Sequence, residues 1–222
     1  MISMSISESA LARLKAVESG IVSDSMTRLG IYGWMDGLHP IGGGQRRAVG
    51  RARTLLLGPK RGEGAWGKTM YATIASLEPG DVLVFGTGGT QQNLMGDNMA
   101  NFASRHGLAA MVTDSPVRDS VGIAAVSMPV YCRGAAVRIP VEMEPIALDV
   151  PVLCAGAQVR PQDIIVASED GVIVLPQSRV DDVIYQADDI EPIEAKLQEA
   201  IAGGAPLSEI EALIKRKKQR RE

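Results

Sequence analysis

Apolar residues recur every three or four positions near the start of the chain. In SISESALARLKAVESG (5–20) Leu11, Leu14 and Val17 fall on one face, and Ser5 and Glu8 have capping-box spacing, so a first helix is predicted. IVSDSMTRLG (21–30) reads as a second, short helix stopped by Gly30. The period then changes. GLHPIGGGQRRAVG (37–50) reads as a loop, RARTLLLG (51–58) as a strand, GKTMYATIASLEPGD (67–81) as a helix ending at Pro79-Gly80, and VLVFG (82–86) as a strand. TGGTQQNLM (87–95) is a Gly-rich loop, GDNMANFASRHG (96–107) a helix ended by Gly107, and LAAMVTD (108–114) a buried strand. Strand, loop, helix and strand in succession predict a βαβ-like unit.

MPVYCRG (128–134) and PVEMEPIALDV (140–150) are strand-like, and two apolar runs flank Asp170-Gly171 as in a hairpin. From residue 178 the pattern returns to helix, with a bend expected at Pro192. The expectation is a single α/β domain over 1–222 with helical N- and C-terminal segments.

Composition narrows the function classes. The chain has 222 residues, 45% of them hydrophobic and 4% aromatic, which suits a well-filled α/β core with many turns. A formal net charge of −3 gives no electrostatic case for nucleic acid as a partner. The exception is the tail, where Lys215, Arg216, Lys217, Lys218, Arg220 and Arg221 cluster. Cations at a helix C-terminus are locally favourable, so a solvated helix end is the simple reading, and RNA or an acidic partner the other. Cys132 and Cys154 stand apart without a CxxC pattern, and His39 and His106 offer no zinc spacing. No run is apolar enough to span a bilayer and no signal peptide is legible, so a soluble cytoplasmic protein with no membrane partner is expected.

Two constellations carry candidate chemistry. Gly62, Gly67, Lys68 and Thr69 fit P-loop spacing, but the preceding strand ends short of Gly62 and Trp66 stands where backbone must crowd phosphate. A Gly-rich loop leading into a helix is the favoured reading. In TDSPVRD (113–119), Arg118 and Asp119 adjoin, and twenty residues separate Asp97 from Arg118. Asp97 follows Gly96 at a predicted helix start, where the N–H groups of Asn98 and Met99 would be free to bind an anion. Arg118 can fork onto a carboxylate. Asp119 offers hard oxygen to Mg²⁺ or Mn²⁺. A helix-capping aspartate plus a surface ion pair would use the same residues.

These phrases resemble a known family. Gly96-Asp97, twenty residues, then Arg118-Asp119 is similar to the signature of the class II 4-hydroxy-4-methyl-2-oxoglutarate / 4-carboxy-4-hydroxy-2-oxoadipate aldolases of the RraA-like superfamily. VSDSMTRLG, EPGDVLVF, PVYCRG and VRPQDIIVASEDGVIVLP extend the resemblance over nearly the whole chain. It implies a β/β/α swivelling domain, assembled as a homotrimer or homohexamer, with C-terminal helices from about residue 178 packing on a neighbouring subunit. It further implies Asp119 as direct metal ligand, Asp97 acting through water, and Arg118 on the C1 carboxylate of a small 2-oxo acid. Gly96, Asn98 and Met99 would complete the cradle, and Glu194 of a neighbour would join them, with Glu191 as the alternative. The implied reaction is Mg²⁺- or Mn²⁺-dependent cleavage to pyruvate, of the kind used in aromatic compound degradation, with oxaloacetate decarboxylase side activity. A non-catalytic branch binds ribonuclease E or an RNA helicase. One departure stands out: Ser115 replaces a common glycine. It would fit poorly at positive φ, or would add a hydroxyl to the site.

Overall fold

The computed structural model describes residues 6–42, 46–61 and 66–222. The chain divides into two compact units, one formed by 33–177 and the other by the two chain ends, 1–32 and 178–222.

The larger unit is built on a mixed sheet. Its strands are β1 (Trp34–Met35), β2 (His39–Pro40), β3 (Ala48–Pro59), β4 (Val82–Gly86), β5 (Ala110–Thr113), β6 (Val130–Cys132), β7 (Met143–Leu148), β8 (Val152–Cys154), β9 (Ala157–Val159), β10 (Ile164–Ser168) and β11 (Gly171–Leu175). Its helices are α3 (Met70–Ala75), α4 (Asp97–His106) and α5 (Ser120–Ala124). Among the described residues the main sheet runs β1-β11-β10-β3-β4-β5-β6-β2, with β7 also on β3. Strands β3, β4, β5 and β6 are parallel. They alternate with α3, α4 and α5 in sequence, which is the βαβ arrangement that the pattern of apolar runs predicts.

Strand β3 is longer than its apolar run. Its first residues pair with β10 and its last with β7, both antiparallel, while its middle pairs with β4. Both faces of the parallel strands are covered, so they read as continuous apolar runs rather than alternating ones. Val82, Val84, Ala110 and Val112 pack with β10, β11 and the β8–β9 hairpin. Leu83, Phe85 and Met111 point the other way, onto Ile74 of α3, Ala100 and Ala103 of α4, and Ile123 of α5. Sheet, second β layer and helical layer together give the expected β/β/α architecture.

Several boundaries depart from the sequence pattern. α3 stops at Ala75, because Pro79 disfavours helix before it and the Asp81 carboxylate takes the Glu78 N–H at 2.9 Å. α5 and the β8–β9 hairpin have no counterpart in the periodicity. That hairpin turns on Ala155 and Gly156, both at positive φ. The segment 37–50 is not all loop, since His39–Pro40 pairs with β6.

The P-loop spacing does not build a phosphate cradle in the described residues. Gly62 lies outside them. Thr69 caps α3, accepting from Ala72 N at 3.1 Å, and the Lys68 ammonium sits 5.0 Å over the Trp66 ring. β3 does run to Pro59, nearer Gly62 than its apolar residues suggest.

The terminal unit holds α1 (Glu8–Ala16), α2 (Ser19–Leu29), α6 (Val180–Ala202) and α7 (Leu207–Lys218). Ser7, not Ser5, caps α1 by accepting from Ala10 N at 3.1 Å; Ser5 is outside the described residues. Leu11, Leu14 and Val17 are buried, and Gly30 ends α2 in the left-handed conformation, both as expected. α6 continues through Pro192. α7 buries no whole residue and is tied down by charge instead. The Arg28 side chain, 2% exposed, donates to the Lys217 carbonyl at 2.7 Å and to Asp189 at 2.9 Å. Arg216 reaches Asp189 at 2.8 Å, and Lys217 reaches Asp24 at 2.8 Å and Glu194 at 2.7 Å. Burial pushes the Asp189 carboxyl up, but hydrogen bonds from Arg28 and Arg216 outweigh it and leave its pKa below the usual range. The basic tail is thus partly spent on internal pairs.

Among the described residues no helix is long and apolar enough to cross a membrane.

Candidate active site

Two backbone segments converge beside the helical layer of the larger unit. One leads through Gly96 into α4, which places Asp97 at the first helical position. The other leaves β5 through Asp114, Ser115 and Pro116, then turns sharply at Asp119 to start α5. Asp119 takes a left-handed conformation, φ 56° and ψ 42°, which aspartate tolerates better than most residues. The segments are stitched together by Arg118 N donating to Met95 O at 2.9 Å and Leu94 N donating to Pro116 O at 3.2 Å.

Two glycines allow the approach. A Cβ on Gly96 would collide with Asp119 Oδ2 and lie 3.2 Å from Arg118 Nε. A Cβ on Gly122, in α5, would lie 2.6 Å from Asp97 Oδ2 and 2.7 Å from Asp97 Cβ. Asp97 therefore rests on α5, and Arg118-Asp119 on the backbone that starts α4. Arg118, Asp119, Gly96, Asp97, Asn98 and Met99 all line one open cleft of about 210 Å³. The six cleft residues expected from the sequence are brought together.

The polar geometry is asymmetric. Arg118 Nε lies 3.3 Å from Asp119 Oδ2, both side chains being about half exposed. The terminal guanidinium nitrogens have no protein partner among the described residues, so the fork that suits a carboxylate is available. Asp97 Oδ1 accepts from Asn98 N at 2.7 Å. Asn98 N is thus already engaged, contrary to the expectation of a free donor there.

Ser115 is not in the left-handed region, so the backbone concern does not arise. Its hydroxyl is buried 2.8 Å from Thr113 Oγ1 and 3.3 Å from Pro116 O, a position that stiffens the turn rather than adding a hydroxyl to the cleft. Neighbouring Asp114 is also buried and accepts from Thr87 N and Oγ1 at 3.2 and 2.5 Å.

Glu194 lies on α6 of the terminal unit, paired with Lys217, and Glu191 is paired with Arg13 there. The sequence reading missed Gly122, Tyr71, Asn93, Ile139 and Pro140. Gly122 supports Asp97, and the other four line the cleft. No local motif marks them, because they come from four separate stretches of the chain, at 71, 93, 122 and 139–140.

The donor set fits a hydrated hard cation. Among the described residues no cluster of three or more His, Cys, Asp or Glu forms a closed cage. The cleft instead offers the carboxylates of Asp119 and Asp97, and Mg²⁺ commonly keeps several waters and takes only one or two carboxylates.

Comparison with known proteins bears on this geometry. A 4-hydroxy-4-methyl-2-oxoglutarate aldolase of Thermus thermophilus is 29% identical over 136 residues, 61% of this chain and 79% of that one. A Halalkalibacterium halodurans protein carrying the same name provisionally is 31% identical over 144 residues, 64% of this chain. The match spans 65% of that protein's length, and a match to Legionella pneumophila DlpA spans 32% of DlpA. Among solved structures, an uncharacterized protein of Pseudomonas syringae pv. tomato superposes with a TM-score of 0.86 at 26% identity, covering 96% of this chain and 97% of that one. Streptomyces coelicolor RraAS2, described as an unusual member of the RNase ES inhibitor RraA protein family, gives 0.79 at 29% identity, covering 87% and 98%. The RraA-like family model, described as Aldolase/RraA, matches residues 20–174, which include both acids and the arginine of the cleft, and the chain belongs to that family.

Proposed function

We propose that the cleft catalyses divalent-metal-assisted cleavage of a 4-hydroxy-2-oxo diacid, of the 4-hydroxy-4-methyl-2-oxoglutarate or 4-carboxy-4-hydroxy-2-oxoadipate type, to pyruvate and a second oxo acid. Oxaloacetate decarboxylation is its side activity. The observation that carries this reading is the open guanidinium fork of Arg118 in one cleft with the carboxylates of Asp97 and Asp119. The aldolase names of the relatives point the same way.

Asp119 would hold Mg²⁺ or Mn²⁺ directly and Asp97 would hold it through water. When bound, the cation supplies Lewis-acid polarisation of the 2-oxo group. Arg118 fixes the C1 carboxylate through its terminal nitrogens and adds positive charge next to the half of the substrate that becomes pyruvate. Met99 N completes this end of the cradle. Asp97, directly or through a water, takes the proton of the C4 hydroxyl as the C3–C4 bond breaks. That proton, or an equivalent one from water, is returned to C3 to give pyruvate. Decarboxylation of oxaloacetate needs no proton taken from a hydroxyl, so it depends less on Asp97. Self-association into a trimer or hexamer would bring Glu194 of a neighbour near the returning proton, at the cost of sharing or breaking its pair with Lys217.

The test is a panel of 2-oxo acids with Mg²⁺ or Mn²⁺, coupled to pyruvate detection. Wild-type protein should release pyruvate, chelation should stop it, and Asp119→Asn should be inactive while remaining folded. A second reading is a non-catalytic inhibitor of RNA processing, favoured by the likeness to the Streptomyces protein. No pyruvate from any substrate with either metal would select it.

A further inference from the structure

Besides its charged residues, the cleft has an apolar part of its lining that the proposed chemistry leaves unexplained. Tyr71 and Ile139 are large hydrophobic side chains, 42% and 48% exposed, and both line this cleft with Pro140. Each is held in place by a specific contact. The Tyr71 ring meets Phe102 edge-on, with centroids 5.2 Å apart and planes at 86°. Phe102 belongs to α4, the helix that begins at Asp97, so the tyrosine is registered against the acid. The start of α3 is fixed as well: Thr69 caps it, and Trp66 Nε1 donates to Thr73 Oγ1 at 3.2 Å. Next to Ile139 in the chain, the Arg138 carbonyl accepts from both N and Nδ2 of buried Asn93, each at 2.7 Å. That double clamp ties Ile139 and Pro140 to the segment that runs into Gly96.

We infer that Tyr71, Ile139 and Pro140 form a subsite for an apolar substituent on C4 of the substrate, so that this chain favours a C4 methyl over a C4 carboxymethyl group. The inference rests on the aldolase reading and deepens it. With the C1 carboxylate on Arg118, C4 is three carbons farther along in the same cleft, whose apolar lining is Tyr71, Ile139 and Pro140. A methyl group there loses only water. A carboxymethyl group would add a third carboxylate to the two that both substrates carry and set it against an aromatic ring and a branched aliphatic chain, where it exchanges hydration for no partner. Hydrophobic pockets discriminate single small groups by ~10–200-fold.

The experiment compares kcat/KM for 4-hydroxy-4-methyl-2-oxoglutarate and 4-carboxy-4-hydroxy-2-oxoadipate, which differ only in that substituent. Wild-type protein should favour the methyl substrate by at least about tenfold. Ile139→Lys, at a half-exposed position that tolerates a long polar chain, should move the ratio about tenfold or more toward the carboxymethyl substrate. Tyr71→Ser should flatten it, with melting temperature followed to confirm both variants fold. A wild-type ratio near one, or one favouring carboxymethyl, overturns the subsite. So does a ratio that neither substitution moves. In those cases pyruvate is still released and the aldolase reading stands. Absence of pyruvate from either substrate and from oxaloacetate, with either metal, removes both the reading and the subsite.

Discussion

Gly122→Ala is the sharpest test of whether Asp97 works by position. Gly122 is not at positive φ, so its backbone accepts alanine, and replacing a helical glycine by alanine is worth up to ~1 kcal/mol in helix propensity. The added Cβ, however, would sit 2.6 Å from Asp97 Oδ2, 2.7 Å from its Cβ and 3.0 Å from its Cγ. The close approach to Cβ cannot be relieved by rotating the carboxylate, so the start of α4 or α5 itself must give. Ordinary contact begins at 3.4 Å. Asp97 must therefore retreat by about half an ångström or more, and a misplacement of ~1 Å costs ~10²-fold in rate. The expected variant melts close to wild type, since the helix gain and the local displacement offset each other within about 1 kcal/mol. It should lose roughly 10- to 100-fold in kcat/KM for aldol cleavage and distinctly less for oxaloacetate decarboxylation. Pyruvate-coupled kinetics with both substrates, beside a thermal melt, read all three quantities. The double variant Gly122→Ala/Asp97→Gly should be no worse than Asp97→Gly alone, because all three close contacts of the methyl are with the Asp97 side chain. Full aldol activity in Gly122→Ala would refute a positional role for Asp97. Equal loss of both reactions would reassign Asp97 to support of the cation.

Arg118→Lys keeps the charge but loses the fork and the Nε contact with Asp119, so its KM for 2-oxo acids should rise at least tenfold, about 1.4 kcal/mol; a wild-type KM would argue against a carboxylate clamp. The Asp189 carboxyl has a depressed pKa in the folded protein, so its contribution is present above the ordinary carboxylate value near ~3.9 and is lost as pH falls through the lower folded value. Acid melts should show that loss, and Asp189→Asn, which leaves the buried Arg28 without its counter-charge, should cost on the order of 3 kcal/mol at neutral pH and flatten the acid limb; unchanged melts would dismiss the pair as a stabiliser. Mixing Glu194→Ala with Asp119→Asn protein should restore activity if subunits exchange and share sites, and exchange without recovery would remove Glu194 from the shared site.

What the sequence determined by itself is local. Gly30 and Gly107 end their helices in the left-handed conformation because only glycine adopts it freely, and a short-range rule suffices to see that. The apolar runs of β4 and β5, and the paired runs around Asp170-Gly171, specify strands for the same reason. The spacing of Asp97, Arg118 and Asp119 marked three chemically suited residues and, through resemblance, a family. Tertiary structure decided the rest. α5, with a glycine in five residues, has little intrinsic helicity and exists because Asp119 turns the chain into it. Ser115 looked like a departure in the site, and only packing shows its hydroxyl turned onto Thr113. The basic tail reads simply as a solvated helix end, and only the helix bundle shows Arg216 and Lys217 held by acids. Tyr71 and Ile139 meet the site from segments some seventy residues apart in the chain. Such convergence leaves no period or motif, since it is fixed by the order of parallel strands and the helices that cover them, not by neighbours along the chain.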